Sequence, residues 1–182
     1  MMHGRIISGK YRGKKIPLPE DSSIRPTTDR VKETIFNILQ HSYMENLRGV
    51  VLDLFAGSGS LGIECLSRGA SKVIFVDKNP LAIGSIKKFV DTIEVGSAEY
   101  IVGAVSAVCL SKIKEKISLV FLDPPYESNL VIDSLSLLLQ SHSLQDNCIF
   151  VVESSKDLQI SGLQLNQTKI IGHTIIKIYQ LK

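Results

Sequence analysis

Two short segments hold the residue types best suited to chemistry, Asp53-Leu54-Phe55-Ala56-Gly57-Ser58-Gly59 and Asp123-Pro124-Pro125-Tyr126. Each ends an apolar, strand-like run. In the first, Gly57 and Gly59 let the backbone turn sharply and approach a ligand with no Cβ in the way. A nucleoside also needs a carboxylate for its ribose hydroxyls, expected roughly 20 residues further on. Asp77, followed by Lys78, stands there at the end of the next apolar run. Asp53, Phe55, Ala56, Gly57, Ser58, Gly59, Asp77 and Lys78 are therefore the candidate cofactor-binding residues. Gly57, Gly59 and Gly62 also fit the G-x-G-x-x-G spacing, so the glycines alone leave a dinucleotide open.

The second segment supplies what a planar exocyclic amine lacks. Such a nitrogen is a poor nucleophile because its lone pair is delocalised into the ring. Two acceptors gripping its hydrogens, the Asp123 carboxylate and the Pro124 carbonyl, favour a pyramidal nitrogen. Pro124 and Pro125 stiffen the backbone and remove competing N–H donors. Tyr126 would stack on the base and hold its plane. The bland alternative is a turn that merely ends a strand. The Asp-x-Phe-x-Gly form together with Asp123–Tyr126 points to methyl transfer from S-adenosyl-L-methionine (SAM) to an exocyclic nitrogen, with Asp123, Pro124, Pro125 and Tyr126 as candidate catalytic residues.

These segments must be carried by a fold, and composition bounds it. The chain has 182 residues, 44% hydrophobic and 21% charged, with no Trp, which suits one globular domain with a real core. Net charge is +3 but uneven. Residues 1–32 hold eight basic side chains (Arg5, Lys10, Arg12, Lys14, Lys15, Arg25, Arg30, Lys32) against three acidic ones, a surplus of five, which leaves the remainder at −2. A basic segment on a near-neutral body suits a polyanion, or is simply a solvated surface hairpin. Cys65, Cys109 and Cys148 and the four histidines are scattered, so buried thiols are expected, with neither disulfide nor metal site. With no secretory signal and no apolar run of membrane-spanning length, a soluble, cytoplasmic protein without membrane contact is expected.

Patterning predicts a β-hairpin from Arg5–Ser8 and Lys14–Leu18, then a helix capped near Thr27 to Asp29 and running to about Gln40, with Val31, Ile35, Ile38 and Leu39 on its buried face. Strands are predicted at Val50–Phe55, Lys72–Asp77, Tyr100–Gly103, Ile117–Asp123 and Cys148–Glu153. Helices are predicted at Ser60–Ser67, Pro80–Val90, Val108–Lys116 and Leu130–Leu139. Leu163–Ile171 and Thr174–Leu181 alternate like an antiparallel pair. Alternating apolar strands and helices imply a mostly parallel sheet covered on both faces. The expected fold is a Rossmann-like α/β sandwich with an antiparallel C-terminal pair. The hairpin, residues 1–26, is read as an appendage to a domain spanning 27–182. Both chemical segments then reach the carboxyl ends of the strands, where open α/β sheets bind ligands.

The sequence resembles the RsmD-type family of small-subunit (16S) rRNA guanine-N2 methyltransferases over nearly its whole length. The resemblance rests on Arg5-Ile-Ile-Ser-Gly-Lys-Tyr-Arg-Gly-Lys-Lys, Arg25-Pro-Thr-Thr-Asp-Arg-Val-Lys-Glu-Thr-Ile-Phe-Asn, Asp53-Leu-Phe-Ala-Gly-Ser-Gly-Ser-Leu-Gly-Ile-Glu, Leu66-Ser-Arg-Gly-Ala and Phe121-Leu-Asp-Pro-Pro-Tyr. It implies SAM at the Gly57 turn and Asp77, a flipped guanine at Asp123–Tyr126, and Arg25–Asp29 at the entrance. The implied partner is rRNA within a partly assembled small subunit, met by a monomer. Arg5, Lys10, Arg12, Lys14, Lys15 and Arg25 are the candidate RNA contacts. One position departs: where the family has Gly-Asp facing the adenine of SAM, this chain reads Val102-Gly103-Ala104-Val105, leaving Glu99 as the nearby acid that could stand in. Other readings remain: methylation of adenine N6 in RNA or DNA or of a glutamine amide in a protein, or a non-catalytic RNA-binding module with a decayed cofactor site.

Overall fold

The structure is a computed structural model that describes residues 4–17, 28–124 and 128–182. A two-stranded hairpin, β1 (Gly4–Arg5) and β2 (Lys15–Ile16), precedes two helices, α1 (Asp29–Ser42) and α2 (Met44–Arg48). Strand–helix alternation follows: β3 (Val50–Asp53), α3 (Ser60–Ser67), β4 (Lys72–Asp77), α4 (Pro80–Val90), β5 (Ser97–Val102), α5 (Ala107–Leu110), β6 (Ile117–Leu122), α6 (Ser128–Leu139) and β7 (Leu144–Ser154). The pair β8 (Leu163–Ile171) and β9 (Thr174–Leu181) closes the chain. The seven-stranded sheet has the order β5-β4-β3-β6-β7-β9-β8. Strands β3 to β7 pair in parallel, while β9 runs antiparallel to both β7 and β8. The expected Rossmann-like sandwich is the observed architecture.

Each sheet face carries its own apolar core, as a strand's alternation requires. Leu119 and Phe121 of β6 face α1 and α4 through Ile35, Phe36, Leu39, Ile83 and Ile86. Val120 and Leu122 face α6 through Val131, Leu135 and Leu138. The three cysteines are buried free thiols. Helix α1 starts where Thr28 Oγ1 accepts the Val31 N–H at 3.3 Å, and its inner face adds Phe36 to the predicted set, with Ile38 only partly buried.

Several boundaries differ from the pattern-based expectation. Helix α2 was not expected; it exists because buried Asn46 donates to the carbonyls of Ser118 (3.0 Å) and Asn147 (2.9 Å), tying the helix to the starts of β6 and β7. The predicted helix Val108–Lys116 shrinks to α5. Beyond it, Lys112 and Ile113 close tight bonds to Cys109 and Leu110, and Glu115 is drawn out to pair with Lys72. Strand β5 is longer than expected because Ser97 to Glu99 pair with β4 in the ladder, and β7 because Leu144 pairs with Ile117 ahead of an irregularity in the register.

The hairpin packs into the domain. Ile6 and Ile16 are 0% and 1% exposed and lie in the same core as α1 and α3. Its root sits at the start of α1, where Arg5 pairs with Asp29 at 3.2 Å. Its tip reaches the end of α3, where the Lys10 N–H donates to Ser67 O at 2.8 Å, and the turn before β5, where the Tyr11 hydroxyl donates to Glu94 O. Among the described residues, no helix is long and apolar enough to cross a membrane.

Candidate active site

The glycine turn is built by its neighbours on both sides. Strand β3 is central, with β4 and β6 flanking it in parallel. As the chain leaves β3, the Leu54 N–H donates to Phe121 O of β6 (3.2 Å) and the Ala56 N–H to Val76 O of β4 (3.0 Å). The turn is then drawn toward β4, because the Gly57 N–H donates to Asp77 Oδ2 at 2.8 Å. Gly57 and Gly59 have φ of 53° and 74°, the left-handed region that favours glycine. A Cβ on Gly59 would also lie 2.7 Å from Ile86 Cγ1. Gly62 has a different reason: a Cβ there would strike the Phe75 ring at 2.3 Å, so this glycine lets α3 lie close on β4.

Three carboxylates gather at this edge. Asp77 is half-buried and accepts from Gly57 through Oδ2 and from the Asn79 N–H through Oδ1 at 2.8 Å, so it sets the turn as well as facing the edge. Each carboxylate oxygen retains a further lone pair for a ligand hydroxyl. Asp53 is deeper, 3% exposed, and its Oδ2 accepts from the Gly62 N–H at 3.1 Å. Burial pushes its carboxyl up to about 7; the Gly62 hydrogen bond opposes the rise, and the charges of Asp123 and Asp77 add to it. Asp123 and Pro124 follow directly on β6 and are half-buried at the same edge. Pro125, Tyr126 and Arg25 lie outside the described residues.

The predicted cofactor residues therefore converge. Asp53, Ala56 and Ser58 are buried, Phe55 and Gly57 are half-buried, and Lys78 is exposed beyond Asp77. Apolar surface lies open nearby: Leu81 at the start of α4, Val102 at the end of β5 and Val108 at the start of α5 are 70%, 49% and 72% exposed. Ala104 follows β5, exposed. Glu99 does not replace the missing acid. Its carboxylate pairs with Lys72 Nζ at 2.6 Å, and Lys72 opens β4 at the opposite edge of the sheet.

The basic residues do not join this cluster. Lys10 and Lys14 sit over the Tyr11 ring (5.2 and 5.3 Å), and Lys10 Nζ donates to Glu94 O at 3.1 Å. Arg12 and Lys15 are exposed. The hairpin tip is thus at the far end of α3 from the glycine turn, a separation of about 12 Å at 1.5 Å per residue. Arg5 and Lys15 face each other at the root of the hairpin, beside the start of α1.

Sequence reasoning missed the docking role of Glu64, Ser67 and Lys32, all buried polar residues at the hairpin junction; it considered Glu64 only as an alternative acid for the ribose, whereas its carboxylate faces Ile7 and Ser8. The available signal was a glutamate inside an otherwise apolar or small helix, Ser60-Leu-Gly-Ile-Glu-Cys-Leu.

A family model described as "Conserved hypothetical protein 95" matches residues 4–180. The chain belongs to that family. A relative from Haemophilus influenzae, "Ribosomal RNA small subunit methyltransferase D", is 37% identical over 97% of this chain and 93% of its own length. The solved structure of the yhhF protein of Escherichia coli matches this family member with a TM-score of 0.84 at 30% identity, covering 100% of this chain and 99% of that one. At 16% identity the fold alone is shared with an RNA methyltransferase from Salinibacter ruber in complex with S-adenosyl-L-homocysteine, with a TM-score of 0.64 over 86% of this chain and 94% of that one.

Proposed function

We propose that this chain is a SAM-dependent methyltransferase that methylates the exocyclic N2 of a guanine in small-subunit (16S) rRNA. The observation that carries the reading is the convergence of the Gly57 turn, Asp77 and Asp123 at the ends of three adjacent strands, β4, β3 and β6. Membership of a family whose named relative is a small-subunit rRNA methyltransferase supports the substrate class.

The residues fit the cofactor. Asp77 offers acceptors for ribose hydroxyls, and the turn from Asp53 through Phe55, Ala56, Gly57 and Ser58 to Gly59 offers close backbone. Asp53 feels the charges of Asp123 and Asp77, so the pocket favours a cation. Leu81 and Val102 offer apolar surface for a flat ring, and with Ala104 exposed in place of an acid, adenine binding leans on packing. Lys78 borders this region. When bound, SAM supplies a methyl group on a positively charged sulfur.

The chain's own part is positioning and electrostatics. The Asp123 carboxylate and the Pro124 carbonyl accept the hydrogens of the guanine amine, pulling its lone pair out of conjugation. Pro125 and Tyr126 complete the motif, Tyr126 by stacking on the base. No strong base is required, because the methylated amine loses its extra proton readily. Most of the acceleration then comes from orientation and from charge placed where charge develops. Arg5, Lys10, Arg12, Lys14, Lys15 and Arg25 serve the RNA backbone, and the enzyme acts as a cytoplasmic monomer on rRNA in a partly assembled subunit.

The test is incubation with methyl-labelled SAM and undermethylated small-subunit particles, followed by digestion and nucleoside identification. Labelled N2-methylguanosine is expected. N6-methyladenosine would overturn the base assignment, and absence of label would overturn the activity.

A further inference from the structure

Helix α3 has two jobs, and the cofactor uses only one end of it. Its first turn continues from the glycine turn. One turn further on, Glu64 is 0% exposed and points away from the cofactor edge into the hairpin. Its Oε2 accepts from the Ile7 N–H at 2.8 Å and its Oε1 from the Ser8 N–H at 2.9 Å. Arg68 Nε closes the third side of the carboxylate at 2.8 Å. Arg68 is itself braced, with its guanidinium 4.7 Å over the Phe36 ring and bonded to Gln40 Oε1 at 2.7 Å.

The neighbouring contacts repeat the grip. Ser67 Oγ accepts from the Tyr11 N–H at 3.0 Å and donates to Ser8 O at 2.7 Å. Gly9 (φ 83°) lies so close that a Cβ would stand 2.0 Å from Ser67 O. Fully buried Lys32 donates to Arg5 O from α1.

A buried, paired carboxylate is a poor source of net stability, since well-packed apolar groups of the same volume do as well or better. What it adds is direction. Two successive N–H groups aimed at the two oxygens of one carboxylate fix the hairpin in one register on α3. The same rod then holds the cofactor turn at one end and the basic tip, Lys10 to Lys14, at the other.

We propose that Glu64 is a positioning residue for the RNA: it locks the basic hairpin at a fixed reach from the cofactor turn, so that backbone contacts at the tip deliver the target base to Asp123. This rests on the RNA reading of the hairpin given above.

Glu64→Gln tests it, because an amide NH2 must then oppose the Ile7 or the Ser8 N–H. Amide exchange at Ile7 and Ser8 should accelerate, and KM for the small-subunit particle should rise roughly 10- to 100-fold, the worth of a hydrogen bond to a charged group. The fall in kcat should be smaller, and SAM affinity measured by calorimetry should be unchanged. Faster exchange with an unchanged KM would overturn the proposal, as would unchanged exchange or a parallel loss of SAM affinity. If Glu64→Gln does not fold, Ser67→Ala, which removes two uncharged hairpin bonds, should give the same pattern more weakly. Replacing Lys10, Arg12, Lys14 and Lys15 together by Gln with Glu64 intact separates the two readings. If that variant binds the particle normally, the RNA reading of the hairpin fails. If it binds poorly while Glu64→Gln does not, the positioning role alone fails.

Discussion

Asp53 and Glu64 are both buried, both meet helix α3, and are treated differently by the chain. Glu64 receives two hairpin N–H groups and the Arg68 guanidinium. Asp53 receives the Gly62 N–H among the described residues, has Asp77 and Asp123 as charged neighbours, and is pushed up to about 7 by its burial. The carboxylate matched from within the chain is at the docking end of the helix. The one with carboxylates for neighbours is at the end where the proposed cationic ligand would sit. The carboxylate with like-charged neighbours thus stands at the proposed binding end of α3, and the one paired with Arg68 at the scaffold end.

The severest test of that contrast is Asp53→Asn. A carboxyl with a folded pKa near 7 and an ordinary unfolded value binds an extra proton in the native state between those limits. The Asp53 contribution to native stability is therefore fully retained below about pH 4 and falls as pH rises toward 7. The Asn variant lacks this loss, so its stability relative to the parent should climb between pH 4 and 8 by up to about 4 kcal/mol. Urea titrations at several pH values measure it, and a flat difference would place Asp53 in the same class as Glu64. By contrast, Glu64→Gln should cost about 1–3 kcal/mol at pH 7, because a buried N–H loses its acceptor.

Asp123→Ala sharpens the contrast within the site. It should lower kcat roughly 10²-fold or more while leaving SAM affinity nearly intact, since the proposed contact forms with the base's amine. Near-normal turnover would remove Asp123 from the chemistry. Asp77→Asn should do the reverse, weakening SAM binding by roughly 10- to 100-fold, about 1.5–3 kcal/mol. Part of that loss comes from the turn itself, because Asp77 also holds the Gly57 and Asn79 N–H groups. Calorimetry on both variants separates the roles, and an unchanged Asp77→Asn affinity would break the assignment.

The last test reads salt dependence at the hairpin. Neutralising Lys10, Arg12, Lys14 and Lys15 should flatten the dependence of log K on log salt by up to about 0.7–0.9 per lost phosphate contact. Lys10 already has Glu94 O at 3.1 Å and the Glu94 carboxylate at 3.7 Å, so it should contribute least. Filter binding at several salt concentrations reads the slope. An unaltered slope would leave the tip as packing.

The amino-acid sequence determined the sheet, its parallel centre, the antiparallel closing pair and the strand-end positions of Asp53, Asp77 and Asp123. Apolar periodicity and glycine punctuation are local properties, and the strongest of them, Ser60–Ser67 and Pro80–Val90, were legible to the residue. Three things were decided only in three dimensions. Helix α2 depends on Asn46 reaching carbonyls of β6 and β7, contacts between residues far apart in the chain. Glu99 was open as a cofactor acid until folding paired it with Lys72 at the opposite sheet edge. Asp53 and Glu64 both stand next to the glycine turn in the sequence, yet one meets two neighbouring carboxylates and the other the N–H groups of Ile7 and Ser8. Charge and spacing name the groups that can do chemistry. Which of them is matched, and which is left for a ligand, depends on partners that only the packed chain brings within hydrogen-bond reach.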